Sequence, residues 1–190
     1  MHCCRNVRLV LIACLWLPLW LISVAPSALA DGIAIRTAEL SVNDEGFDLD
    51  ADYRIELNQT LEDALNKGVV LYFELEFELT RSRWYWFDEK IATLRNQYKL
   101  SYNALTRQYR VGSAGNFQNF AALDEALRAL SRISERRVLD KSALEPDTSY
   151  TAGLRMQLDI SELPKPIQID ALASRAWSLD SGWYRWTASL

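Results

Sequence analysis

Histidine and cysteine are almost absent from this sequence, and the few that are present lie at its beginning. The chain of 190 residues contains three cysteines and one histidine, and all of them come within the first fourteen residues: His2, Cys3, Cys4 and Cys14. Beyond that point the chain lacks the side chains for a Cys/His zinc site, a cysteine nucleophile or a His-based catalytic triad. It also lacks the thiols for a disulfide. We therefore expect no disulfide in residues 31–190, no metal site and no cofactor.

Other catalytic signatures are missing as well. The sequence has no S-x-x-K and no G-x-S-x-G arrangement, the motifs of several serine-dependent enzyme families. It has no glycine-rich loop of the kind that cradles phosphate. Ser and Lys pairs that do occur, such as Lys141 and Ser142, lie in turn-like segments. We therefore predict that the chain is not an enzyme.

Positive charge is scarce too. The whole chain has 21 Lys and Arg against 25 Asp and Glu, which gives a net charge of -4. Two of the basic residues, Arg5 and Arg8, and none of the acidic ones fall within residues 1–30, so residues 31–190 carry a net charge of -6. The sequence shows no basic cluster, which argues against nucleic acid and against anionic lipid as partners.

The first thirty residues have the pattern of a secretory signal peptide. Two arginines precede an almost wholly apolar stretch, residues 9–24, and the A-L-A motif that ends at Ala30 provides the small residues of a peptidase site. We predict a signal peptide over residues 1–30, cleavage after Ala30, export to the periplasm and a single β-rich domain over residues 31–190. Retention of the leader as a membrane anchor is the alternative, since its apolar length approaches the roughly 17 to 25 residues that span a bilayer.

Strict alternation of apolar and polar residues predicts three β-strands. Residues 47–57 place apolar side chains at odd positions and charged ones at even positions, and residues 71–79 repeat the arrangement with glutamates on the polar side. Residues 150–160 form the third such segment, with apolar side chains at the even positions. Alternation of this kind is typical of antiparallel sheets that have one buried and one solvated face.

Weaker signals add five strands and two helices. The strands are predicted at residues 33–42, 91–102, 108–111, 137–140 and 183–187. Thr60 is predicted to cap a first helix that stops at Gly68. Asn119 is predicted to cap a second, whose apolar face comprises Phe120, Leu123, Leu127 and Leu130. A rigid connector is expected around residues 164–166. The chain is therefore predicted to be mainly β, an antiparallel β-sandwich with two short helices; a lipocalin-like β-barrel is the alternative.

Three aspartates on one predicted strand resemble the start of a calcium-binding loop. They are Asp48, Asp50 and Asp52, but Tyr53 and Gln59 stand where such a loop needs glycine and glutamate. We interpret the aspartates as the solvated face of a strand.

Three glutamates on another strand suggest a glycosidase. Glu74, Glu76 and Glu78 alternate, so neighbouring pairs are roughly 6.6 Å apart, at the low end of the about 6.5 to 9.5 Å found between the two carboxyl groups of inverting glycosidases. Any exposed strand with neighbouring glutamates meets this condition. We therefore interpret them as cross-strand partners of basic residues, namely Arg81, Arg83 and Lys90.

The segment RSRWYWFDEK, residues 81–90, concentrates aromatic side chains between basic ones. If the alternation of residues 71–79 simply continued, Arg81 and Arg83 would point unpaired into the core at a cost of several kcal/mol each. We therefore expect a turn or bulge between Thr80 and Arg83.

After that bulge, both faces of the segment are apolar. Trp84 and Trp86 share one face of an extended chain, and Tyr85 and Phe87 share the other. This indicates a strand covered on both sides. The alternative is an aromatic binding platform for a glycan or small ligand, with the speculative ligand-binding residues Arg81, Arg83, Trp84, Trp86, Trp183 and Trp186.

Several blocks of the sequence resemble a known family. They are FELEFELTRSRWYWF at 73–87, LSYNALTRQYRV at 100–111, LPKPIQ at 163–168 and SGWYRW at 181–186. In this order they resemble a family of exported proteobacterial proteins, domain of unknown function 4390. The resemblance implies an exported, periplasmic protein of unestablished activity, whose gene often lies beside that of a nitrogen-regulation-type sensor kinase. It implies no catalytic residue.

Three functions remain to be compared with the structure. We expect a non-enzymatic protein-interaction module of the cell envelope, with another envelope protein, such as a sensor kinase, as its partner. The second hypothesis is a glycan- or ligand-binding module that uses exposed aromatic rings. The third is a cell-wall glycosidase that uses the three glutamates.

Overall fold

Nine β-strands and three α-helices make up the part of the chain that the computed structural model describes, residues 32–81, 83, 88–113, 115–140, 144–145 and 148–188. The strands are β1 (Ile33–Val42), β2 (Gly46–Ile55), β3 (Leu71–Arg81), β4 (Glu89–Asn103), β5 (Gln108–Ser113), β6 (Asn116–Phe120), β7 (Arg132–Asp140), β8 (Tyr150–Leu158) and β9 (Tyr184–Ala188). The helices are α1 (Gln59–Asn66), α2 (Leu123–Leu130) and α3 (Lys165–Ala173), and short 3-10 turns lie at Ile160–Glu162 and Arg175–Trp177. No helix in these ranges is long and apolar enough to cross a bilayer.

The strands form two antiparallel sheets. One has three strands in the order β1-β2-β7, and the other has six in the order β6-β5-β4-β3-β8-β9. Each sheet ends in two edge strands within the described residues, so neither closes on itself. The predicted antiparallel sandwich is therefore confirmed, and the barrel alternative is wrong because β6 and β9 do not pair with each other.

The core lies between the sheets and follows the predicted alternation. The odd positions of β3 from Leu71 to Leu79 are fully buried, whereas its even positions are half-buried on the other side, which we call the outer face of the six-stranded sheet. The facing strand β2 contributes Leu49, Ala51, Tyr53 and Ile55 to the same core. Each fully buried large apolar side chain contributes roughly 1.5 to 3 kcal/mol, and the alternation places several of them in this core.

Helix α1 begins two residues earlier than predicted. Its N-cap is Asn58, whose Oδ1 accepts a hydrogen bond from the backbone N–H of Leu61 at 3.0 Å. The predicted cap, Thr60, lies inside the helix. Asn58 also donates from Nδ2 to the carbonyl oxygen of Ala176 at 2.7 Å, a tertiary contact that sequence patterns do not reveal. The predicted stop at Gly68 is confirmed, because its φ of 91° is the left-handed conformation that glycine adopts readily.

Helix α2 begins later than predicted. Asn119 is not its cap but belongs to the edge strand β6, where it pairs with Arg110 of β5. The helix follows Ala122, which makes no side-chain capping bond. Pairing with β5 therefore overrides the local helical signal of residues 119–122, although Leu130 is buried as the predicted apolar face requires.

The connector predicted at residues 164–166 is the start of a third helix. Pro164 is the N-cap of α3, and Pro166 lies in its first turn. Proline is favoured at the first helical positions, because its fixed φ suits a helix and the missing N–H would have no partner there. Two prolines close together therefore mark a helix start in this chain.

Strand β7 is longer than the predicted 137–140. It begins at Arg132 and pairs with β2 through two register shifts, one of which lies between Leu49 and Ala51. Glu135, close to that shift, has a φ of 52°. These irregularities break the period-two pattern, which explains why the sequence indicated only the last part of the strand.

Candidate functional site

The two predicted site arginines at the end of β3 form ion pairs. Arg81 Nη2 lies 2.6 Å from Glu89 Oε2, and Arg81 Nη1 lies 2.5 Å from Glu145 Oε2. Arg83 also contacts Glu89. The hydrogen bond from Arg81 is the main cause that lowers the pKa of Glu89, and hydrogen bonds to Glu145 and Glu89 raise the pKa of Arg81. These four side chains form an ion-pair network at the end of β3.

The bulge predicted after Thr80 lies one step earlier and on the partner strand. Leu79 pairs with Ala92 of β4 and Thr80 pairs with Lys90, so Ile91 is the extra residue. Against β8, strand β3 continues in register as far as Arg81. The alternation does not restart as far as Arg81, and the remaining position before Arg83, residue 82, lies outside the described residues. The charge of Arg81 is accommodated by ion pairs and not by a change of face.

Two of the four tryptophans of the proposed platform can be placed. Trp84 and Trp86 lie outside the described residues. Trp183 lies on the outer face, where its ring edge covers Gly153 of β8: a Cβ at Gly153 would be 3.2 Å from Trp183 Cε3. The guanidinium of Arg185 lies over the same ring, 5.3 Å from its centroid. Trp183 is thus packed between backbone and charged side chains.

Trp186 faces the other way. Its partner in the β8–β9 ladder is Ala152, which is buried in the core. The Trp186 ring packs against that core and lies 5.7 Å from the ring of Tyr184. Trp183 and Trp186 therefore do not share a face, and the structure does not unite them in one aromatic platform.

The glutamates of β3 lie on the outer face; Glu76 and Glu78 pair with basic side chains, whereas Glu74 accepts a hydrogen bond from Gln157 Nε2 at 3.3 Å. Glu76 is 3.3 Å from Arg95 and 3.8 Å from Arg155, and its side chain is only 14% exposed. Glu78 is 3.1 Å from Lys90 and 3.3 Å from Arg185. Cross-strand pairing is thus present, with Lys90 as predicted.

The other two predicted partners of these glutamates, Arg81 and Arg83, are wrong, because both bind Glu89.

Arg155 extends the ion-pair network of the outer face to Asp180. Its Nε donates to Asp180 Oδ1 at 2.9 Å and its Nη2 to Oδ2 at 2.6 Å, a two-pronged contact. These bonds from Arg155 are the main cause that lowers the pKa of Asp180.

The aspartates of β2 have protein partners. Asp48 accepts a hydrogen bond from Arg137 Nε at 2.8 Å and is buried, against the prediction of a solvated face at this position. Asp50 accepts from Ser41 Oγ at 3.0 Å. Asp52 pairs with Arg132 at 3.3 Å. Within the described ranges, no group of three or more acidic, Cys or His side chains is arranged to hold a metal ion.

A groove on the outer face is the feature that the sequence interpretation missed. We call it the β4–β6 groove; it has a volume of about 540 Å³, and its lining includes Tyr72, Arg95, Lys99, Arg110, Gly112 and Phe117. The ladders place Gly112 between Lys99 on one side and Phe117 on the other. Because glycine has no side chain, the groove is open at this point.

The groove combines cations with aromatic rings. Lys99 Nζ lies 5.2 Å from the centroid of the Tyr72 ring, and Arg110 Cζ lies 4.3 Å from that of Phe117. Arg110 Nε also donates to the neutral side chain of Asn119 at 3.1 Å. None of the Asp and Glu residues that the structure describes lines the groove. Neither Lys99 nor Arg110 has an ion pair with a carboxylate that the structure describes.

The cation cluster is invisible in the linear sequence because its members come from different strands. Arg95 and Lys99 occupy exposed positions of β4, and Arg110 lies on β5. Phe117 belongs to β6, the strand that the sequence did not predict. The one indication in the sequence is that Arg95 and Lys99 are an even number of positions apart, which places both on one face of an extended strand.

A comparison with protein families identifies the family of this chain. The family model of the domain of unknown function DUF4390 matches residues 30–187. The chain belongs to this family. The resemblance inferred from the four sequence blocks is thus confirmed. No curated protein and no solved structure matches this DUF4390 chain, so arguments about what the domain does rest on its own residues.

Proposed function

We propose that this DUF4390 domain is a non-enzymatic binding module of the cell envelope that acts in the periplasm by contacting another protein. The observation that carries the proposal is an open sheet edge, strand β6, beside the β4–β6 groove. A sensor kinase is the first partner to test, because the family resemblance implies that its gene is often a neighbour.

Strand β6 has the properties of a docking edge. It is the last strand of the six-stranded sheet, and its first four residues are exposed. Phe117, on this strand, is 58% exposed. An edge strand presents unpaired backbone N–H and C=O groups, which a partner segment can use by adding a strand. Exposed aromatic rings are also enriched where proteins bind one another.

The contacts of the other candidate sites support a binding role over the two alternatives. The ion pairs of Glu76 and Glu78 account for these glutamates without catalysis, which weakens the glycosidase hypothesis. Trp183 and Trp186 lie on opposite faces, which weakens a glycan platform built on them. The open edge of β6 and the β4–β6 groove remain. The contacts described within the domain do not explain why their aromatic and basic side chains are exposed.

Site-specific photo-crosslinking in the envelope tests the proposal. A photoreactive amino acid replaces Phe117, and in a second variant it replaces Leu172, which is exposed on α3 away from β6. We expect an adduct with a discrete envelope protein from position 117 and not from position 172. A strain that lacks the neighbouring sensor kinase should lose this adduct if the kinase is the partner.

Two outcomes would count against the proposal. The absence of any adduct at position 117 removes the β6 edge as the docking surface. Equal, diffuse labelling from positions 117 and 172 shows random collision and not recognition. Both variants must first show the urea unfolding midpoint of the unmodified domain, so that misfolding does not imitate either result.

A further inference from the structure

We propose that the β4–β6 groove selects an acidic protein segment, which enters from the β6 edge and places carboxylates on Lys99 and Arg110. This inference rests on the proposed binding function and names the chemistry of the partner. A partner that docks on β6 without acidic residues would satisfy the proposed function and refute this inference.

The charge of the groove is opposite to that of the chain. The whole sequence carries a net charge of -4, yet among the described residues the groove is lined by three cations, Arg95, Lys99 and Arg110, and by no Asp or Glu. Arg95 is partly compensated by Glu76 at 3.3 Å. Lys99 and Arg110 lie against aromatic rings, which orient the cations. Arg110 Nε is bonded to Asn119, but the structure describes no carboxylate on Lys99 Nζ or on the two Nη groups of Arg110, so these donors can bind a carboxylate.

The spacing of the two free cations suits an extended segment. Lys99 lies opposite Gly112, and Arg110 lies opposite Ser101, two residues further along β4. The cations therefore lie on successive rows of the outer face, roughly 6.6 to 7 Å apart along the strand direction. Alternate side chains of an extended peptide have the same repeat. Acidic residues at alternate positions of a partner would thus meet Lys99 and Arg110 together.

The open floor of the groove allows such a segment to approach. Gly112 leaves the row between Lys99 and Phe117 without a side chain, and a Cβ there would already be 3.3 Å from the carbonyl oxygen of Asn116. The Phe117 ring borders the groove at the edge strand. An extended chain that lies along β5 over Gly112 can contact the ring and the two cations at once.

Binding of defined peptides to the purified domain tests the inference. The probe is a short peptide with glutamate at alternate positions and threonine between them; its match has glutamine in place of glutamate. We expect the glutamate peptide to bind and the glutamine peptide to bind at least about tenfold more weakly. Added salt should weaken the binding of the glutamate peptide, because the charges are exposed. Equal affinity for the two peptides would overturn the inference.

A charge-matched pair of variants locates the effect. The variant Lys99→Gln with Arg110→Gln removes both free cations of the groove. Its control, Arg36→Gln with Arg175→Gln, removes two exposed arginines that have no described ion pair and do not line the groove. We expect the groove variant to lose affinity for the glutamate peptide about tenfold or more and the control to retain it. An equal loss in both would show a general charge effect and overturn the inference.

Competitors distinguish a protein segment from other anions. Free glutamate, short polyphosphate and anionic lipid vesicles are each added to the domain with bound glutamate peptide. We expect none of them to displace the peptide at matched carboxylate or phosphate concentration. Displacement by free glutamate would show a site for a small anion, and displacement by polyphosphate or vesicles a general polyanion surface; either result refutes the extended-segment proposal. The crosslink at position 117 can persist in all these cases, so the two proposals fail separately.

Discussion

Gly153 of β8 is predicted to be constrained by its neighbours and not by its backbone. Its φ is not in the left-handed region, so alanine can adopt the same conformation. A Cβ at this position would lie 3.1 Å from Glu78 Cγ and 3.2 Å from Trp183 Cε3. Both distances are shorter than ordinary carbon contacts, which are roughly 3.5 to 4.0 Å. Gly153→Ala must therefore displace the tryptophan ring or the glutamate from the outer face.

Two opposing effects determine the size of the change. Overpacking costs about 1 to 3 kcal/mol, while replacing glycine by alanine inside a strand gains about 0.5 to 1 kcal/mol through the unfolded chain. We expect overpacking to win and the free energy of unfolding to fall by about 1 kcal/mol. For a domain of this size, that lowers Tm by about 2 to 4 °C.

Urea unfolding followed by far-UV circular dichroism measures the change, and a double-mutant cycle assigns its cause. When Trp183→Ala has removed the ring, the Glu78 side chain can shift into the space that the ring leaves, so Gly153→Ala should be nearly neutral or stabilising. The coupling between the two sites is then about 1 kcal/mol. If Gly153→Ala changes the free energy of unfolding equally with and without Trp183, in either direction, the packing of this ring on Gly153 is refuted as the cause.

Two further predictions concern hydrogen bonds. Asn58→Ala removes the cap of α1 at Leu61 and the bond to Ala176, so the free energy of unfolding should fall by about 1 to 2 kcal/mol. Asn58→Asp keeps the cap alone and should recover part of this loss in the same urea assay. Full recovery would show that the Ala176 bond contributes nothing. The pKa of Asp180 is lower in the folded than in the unfolded chain. The contribution of its pair with Arg155 to folding stability is therefore complete above the unfolded pKa of about 3.9 and is lost as the pH falls through the lower folded pKa. Arg155→Gln should therefore flatten the loss of stability on the acid side, as measured by unfolding midpoints from neutral to acidic pH; an unchanged acid slope would contradict this.

The parts of the fold that were predictable depend on side chains repeating along one segment. Strands β2, β3 and β8 bury every second residue, so the sequence carries their faces directly. The missed strand β6 has exposed residues on both sides and no such repeat. Helix α3 was missed because Pro164 and Pro166 were interpreted as a connector, although their restricted φ also suits a helix start.

The candidate site was less predictable than the fold because it is built from pairs that cross strands. The sequence showed that Glu76 and Glu78 need cations, but the register determines which ones, and Arg95 and Arg185 are distant in the chain. The same holds for Trp183, whose position depends on the space above Gly153. Residue type indicates what a side chain needs, whereas its partner depends on strand order.

The sequence by itself determined the absence of Cys and His chemistry from residues 31–190, the antiparallel β class and the family. These properties follow from composition, period-two alternation and short motifs, all of which are local. Only the tertiary structure decided that β6 forms an open edge and that Lys99 and Arg110 line one groove beside Gly112. Strand order and register bring these residues together, and they result from burying both sheets in one core and not from any local pattern.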